Sequence, residues 1–153
     1  MRTVDLERTI RAPRVEVFDW LTDISNYRRV PIIRAVRRIR PGDVAEHGTG
    51  SVRRIASPPL RLTEQVVDYS PPHRVRYRIT DSFPPLRHSQ GVVSFDPVAG
   101  GTRVRWSARF EVVAPFGGGL LTMLLQPILA AGIRQVLDTA ETELRHRQAA
   151  AAR

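Results

Sequence analysis

The last apolar stretch of the chain, from Gly117 to about Gln148, constrains the fold more than any other. It reads GGGLLTMLLQPILAAGIRQVLDTAETELRHRQ. Apolar side chains recur at Leu129, Ile133, Val136, Ala140 and Leu144, steps that draw one stripe along a helix, while Arg134, Asp138, Glu141 and Arg145 fall off it toward water. Before Pro127 the segment Leu120–Leu125 is apolar nearly all round and calls for cover on more than one side. Pro127 removes a backbone donor, so a kink or a fresh helix start is predicted there. The longest near-apolar run, Leu120–Ala131, falls short of the ~20 residues of a membrane span.

Upstream the period changes from helical to alternating. Val4, Leu6 and Ile10 share one side of a first strand, and Pro13 then opens a short helix to Thr22 with Val17, Phe18 and Leu21 on one face. Asn26 and Tyr27 start a second small helix. Strands follow at Ile32–Arg40, Ser51–Ala56, Leu60–Tyr69, a fifth around Arg74–Ile79, Arg87–Phe95 and a seventh from Thr102. The fifth sets Val75, Tyr77 and Ile79 against Arg74, Arg76 and Arg78; the seventh sets Val104, Trp106, Ala108, Phe110 and Val112 against Arg103, Arg105, Arg109 and Glu111. Alternation this regular means one face on a core and one in water, and tight turns between consecutive strands favour an antiparallel meander. The fold class predicted is therefore α+β: a curved antiparallel sheet of about seven strands wrapped around a long C-terminal helix. Residues 1–148 form one domain in this reading and 149–153 a frayed tail.

This order of elements resembles the helix-grip fold of the START / Bet v 1-like superfamily, in its bacterial polyketide cyclase/dehydrase and lipid-transport branch. The resemblance is carried by IRAPRVEVFDWLTDISNY, VVDYSPPHRVRYRI and GGTRVRWSARFEV and covers essentially the whole chain. It implies a deep apolar cavity between sheet and helix, holding a hydrophobic ligand such as a lipid or a polyketide-like aromatic. On that basis the candidate ligand-binding residues are Trp20, Tyr27, Tyr77, Ile79, Gln90, Trp106 and Phe110, with Met123, Leu124, Ile128 and Ala131 from the helix, where the small pair Ala131-Gly132 lets a ligand approach the backbone. Some members of the branch are aromatases/cyclases that use an Arg and a Tyr or similar polar groups inside the pocket. In this chain the inward strand positions read as aromatic or aliphatic, a departure from that pattern.

Two polar residues are candidates for acid–base chemistry. Glu64 shares strand parity with Leu60, Leu62 and Val66 and so points inward, where it either acts as an acid or base or pairs with an arginine. His88 lies with Gln90 on one face of the sixth strand, at the pocket mouth or in solvent. An inward Glu–Arg or His–Tyr pair deep in the cavity favours an enzyme acting on a carrier-tethered chain; an all-apolar lining favours a binding module. Pro115-Phe116-Gly117-Gly118-Gly119, before the final helix, is either a gate with an apolar lip or a turn that needs glycine.

Charge and composition bound the rest. Twenty-four basic residues stand against 15 acidic ones, a net charge of +9, and every basic one is arginine. Arg28, Arg29, Arg34, Arg37, Arg38 and Arg40 gather in one segment without an acid. No aromatic platform interleaves with them, so specific nucleic-acid recognition is not expected; an acidic acyl carrier protein or an anionic membrane surface suits such a face, as does a third reading, a basic-surface interaction protein. The absence of cysteine and of an apparent leader peptide points to the cytoplasm. Four scattered histidines argue against a metal site, and no cofactor is implied.

Overall fold

The computed structural model describes residues 1–152. A first strand, β1 (Arg2–Ile10), leads into helix α1 (Arg14–Thr22) and a 3-10 helix (Ile24–Arg29). Six strands follow: β2 (Ala35–Arg40), β3 (Val52–Ser57), β4 (Leu60–Ser70), β5 (Arg74–Phe83), β6 (Leu86–Val98) and β7 (Gly101–Val112). Helix α2 (Gly118–Ala151) closes the chain. The sheet order is β1-β7-β6-β5-β4-β3-β2, an antiparallel meander to which β1 returns as an edge beside β7. Such a sheet coils, and α2 lies in its concave face against β1, β7 and α1.

The alternation of the sequence sets which side faces in. Val104, Trp106, Ala108, Phe110 and Val112 are buried, and so is every member of the α2 stripe except Leu129, which is half-buried. At the closed end of the grip, Phe18 of α1 meets Phe95 edge-on at 5.0 Å and tilts against Tyr69 at 5.3 Å. Arg8 of β1 ties α2 down through Asp138 at 2.6 Å.

Three expectations are corrected. Pro127 does not start a fresh helix, since α2 runs through it as one helix from Gly118 to Ala151. The second strand begins at Ala35 rather than Ile32, since Ile32 and Ile33 turn inward toward the core. Residues 149–151, read as frayed, continue α2. In addition, α2 is long and apolar enough to cross a membrane by length and composition, because no charge interrupts it before Arg134. Of the three glycines ahead of α2, Gly117 carries the turn, with φ at 72° in the left-handed region.

Candidate functional site

A cavity with roughly 1050 Å3 of empty space, its open mouth included, lies between the concave face of the sheet and α2. Its walls come from β3 to β7, from Ile32 and Ile33, and from Ile128, Leu129, Gly132, Ile133 and Val136 of α2. The lining is mostly aliphatic and aromatic. One inner wall is different.

On that wall Arg53 of β3 stands directly across the ladder from Glu64 of β4. Both are buried, and Arg53 Nε lies 2.8 Å from Glu64 Oε1. The approach is close but not aligned as a hydrogen bond. A second arm, Arg53 Nη1, donates to the Thr22 carbonyl at 3.1 Å and so ties the pair to the end of α1. Two buried opposite charges face each other here, and removing either would leave the other uncompensated at that depth. Beside them Tyr27 donates its hydroxyl proton to the Leu21 carbonyl at 2.7 Å. Tyr77 accepts from Trp106 Nε1 at 3.0 Å, an edge-on ring pair, which leaves the Tyr77 proton uncommitted to any protein acceptor among the described residues.

Burial pushes the phenols of Tyr27 and Tyr77 well above the ordinary tyrosine range, with the Glu64 carboxylate adding to the effect and Arg53 opposing it. Tyr77 keeps some accessible surface because it faces the hollow, although it lies deep in the protein. A raised folded-state pKa gives a contribution that is complete below the unfolded value of about 10 and is lost as pH rises beyond it. Stability should therefore fall steeply above about pH 10, and Tyr27→Phe/Tyr77→Phe should flatten that limb in chemical melts.

The position of Tyr77 is set by its cross-strand neighbour Gly91. A Cβ built on Gly91 would sit 2.3 Å from the Tyr77 ring and hydroxyl. Glycine there is a requirement of close approach. Gly91→Ala should displace Tyr77, break its bond to Trp106 and cost about 1–3 kcal/mol, read as a lowered denaturation midpoint.

Of the residues singled out in the sequence, Tyr27, Glu64, Tyr77, Ile79, Gln90, Trp106, Phe110 and Ile128 line this cavity. Gln90 is exposed, at the mouth. The structure places five others elsewhere. Trp20 is buried one layer behind, stacked on Tyr27 at 6.1 Å and donating to Glu143 Oε1 at 3.1 Å. Met123 and Leu124 are exposed, because the first turns of α2 project beyond the sheet. Ala131 is turned away from the cavity while Gly132 faces it, one residue being enough on a helix to change face. His88 sits at φ 51° in a bulge of β6 that interrupts the pairing with β7, and this irregularity turns it to solvent.

Arg53 was the residue that alternation left unnamed. In Val52-Arg53-Arg54-Ile55 an arginine stands at each parity, and only the shared side with Ile55 marks Arg53 as the inward one. The basic segment is also less free than its composition implies. Arg29 binds Glu143 at 2.6 Å, Arg38 pairs with Glu46, and Arg40 donates to the Gly50 carbonyl. Among the described residues, no three His, Cys, Asp or Glu side chains gather as a metal site would require.

A curved antiparallel sheet gripping one long helix around an apolar hollow is a START-like, helix-grip fold. The chain belongs to the polyketide cyclase / dehydrase and lipid transport family, whose sequence model matches residues 1–145. No curated protein sequence is significantly similar to it. Among solved structures, it is similar to TTHA0849 from Thermus thermophilus, with a TM-score of 0.81 at 20% identity over 95% of this chain and 99% of that one. The Zhui aromatase/cyclase from Streptomyces sp. R1128 superposes with a TM-score of 0.80 at 18% identity, over 95% of this chain and 94% of that one. A START superfamily protein from Mycobacterium smegmatis gives 0.75 at 13% identity, over 93% and 98%. At these identities the likeness is one of fold.

Proposed function

We propose that the protein binds a small hydrophobic molecule, a lipid or a polyketide-like aromatic, inside this cavity, with one polar group of the ligand accepting the free Tyr77 proton. The observation that carries the reading is the cavity itself: a largely apolar lining with the Tyr77 hydroxyl on its inner wall, its proton uncommitted among the described residues. Tyr27, Ile79, Trp106, Phe110 and Ile128 supply contact area, and Gln90 meets the ligand at the mouth. Cytoplasmic residence suits the absence of cysteine. Native mass spectrometry of the purified protein, followed by titration with an environment-sensitive apolar dye, tests the idea. Saturable one-to-one uptake with Kd in the micromolar range or below supports it, and dye that fails to saturate overturns it.

A second reading has one observation in its favour. The Arg53–Glu64 pair with two buried tyrosines is the kind of inward polar group that a polyketide cyclase/dehydratase uses on a carrier-tethered chain. Against it, Arg53 is already engaged by Glu64 and by the Thr22 carbonyl, and Tyr27 by Leu21. A group so committed must first release a partner before it can stabilise a developing enolate. Incubation with a poly-β-ketone thioester mimic separates the readings, since only the cyclase yields a dehydrated aromatic product.

A further inference from the structure

The antiparallel connections bring one set of chain segments to the same end of the grip. The ladder places Arg2 beside Phe110, Leu86 beside Val112, and Arg61 beside Phe83. The backbone of Val113 reaches the turn after β5 by donating to the Pro85 carbonyl at 2.9 Å. Thr122 Oγ1, accepting from the Val112 N–H at 2.9 Å, fixes the first turns of α2 at this end as well. Most of the large apolar side chains that the protein leaves in water collect here. Phe116 is 91% exposed, Phe83 58% and Leu120 and Leu124 56% each, with Leu121, Met123 and Val113 beside them.

This collar is not the rim of a core. No charged residue occurs between Glu111 and Arg134, yet only 28% of the membrane-span-like stretch of α2 is buried. Around it stand arginines. Arg2, Arg34, Arg61 and Arg109 have no carboxylate partner among the described residues, whereas the nearby Glu111 is already held by Arg87 at 3.0 Å. Arg61 lies over the exposed Phe83 ring, 6.0 Å from its centre. An apolar patch ringed by unpaired cations matches an anionic lipid surface, where the rings and leucines reach the acyl boundary and the guanidinium groups meet phosphate. A second copy of this chain, itself at +9, would set like charges face to face. An acidic carrier protein would satisfy the arginines and leave the apolar collar unexplained.

We propose that this end of the protein docks on anionic phospholipid bilayers, with Phe116 and the first two turns of α2 at the acyl boundary. The half-buried Leu86 and Ile128, which line the cavity, lie at the same end, so docking sets the cavity mouth against the lipid. The inference concerns a surface and holds whatever fills the cavity.

Flotation with phosphatidylcholine vesicles, with and without about 30 mol% phosphatidylserine, tests it at about 100 mM salt. The wild type is expected to partition at least ~10-fold more strongly onto the anionic vesicles. Phe116→Ser/Leu124→Ser, both exposed positions, should weaken that partition at least ~10-fold with the melting temperature and dye uptake unchanged. Arg61→Gln/Arg109→Gln should weaken it on anionic vesicles alone. The proposal is overturned if the wild type fails to float, if the serine variant floats like wild type, or if light scattering shows a dimer that the serine variant turns into monomer. Loss of dye uptake by the wild type would count against ligand binding and leave the flotation result standing.

Discussion

Gly132→Phe should reduce uptake of an apolar dye at least ~10-fold while the protein keeps or slightly gains stability. Gly132 faces the cavity from α2, and a Cβ added there would meet nothing within 4 Å. The ring would occupy the space a ligand needs. Glycine in a helix interior costs about 1 kcal/mol relative to alanine, so most replacements at this position favour the helix. In a packed core the same insertion would cost about 1–3 kcal/mol. Binding and stability thus move in opposite directions only if the hollow is real. Dye titration beside a thermal melt reads both, and undiminished uptake by the folded variant would refute the cavity as the binding site.

Arg53→Met should cost about 3–5 kcal/mol, because it leaves the Glu64 carboxylate buried without its partner. Glu64→Leu should cost a similar amount by stranding the guanidinium. The double variant Arg53→Met/Glu64→Leu should recover most of the loss, since removing both charges also removes the penalty of desolvating them. Urea melts of the four proteins form the cycle. A single-variant cost below about 1 kcal/mol would mean that the pair is solvated, contrary to its burial. The double variant also separates the functional readings: dye binding should survive in it, whereas a cyclase would lose turnover.

The resemblance, once made, implied a cavity, and the residues themselves show why the fold was legible and the site only partly so. Alternation along β5 and β7 and the steps from Leu129 to Leu144 are local properties of the chain, repeated every two or every three to four residues. They assign faces, so Tyr77, Trp106 and Phe110 could be placed inward from spacing alone. Face is not position along the element. Met123 and Leu124 are as apolar as Ile128, yet they project past the end of the sheet, and only the docking of α2 decides where cover stops. Trp20 and Tyr27 are both buried, and the stacking of one on the other determines which of them faces the hollow.

The sequence by itself determined the order of elements, the inward face of each strand and the basic character of the surface. Tertiary structure alone decided the rest. It chose Arg53 over Arg54 by pairing it across the ladder with Glu64. It removed His88 from the site through a bulge. It gathered the exposed ends of β5, β7 and α2 into one collar. The physical reason is common to all three. A side chain's burial, partner and charge environment depend on residues far away in the chain, and that information exists only once the sheet has closed on its helix.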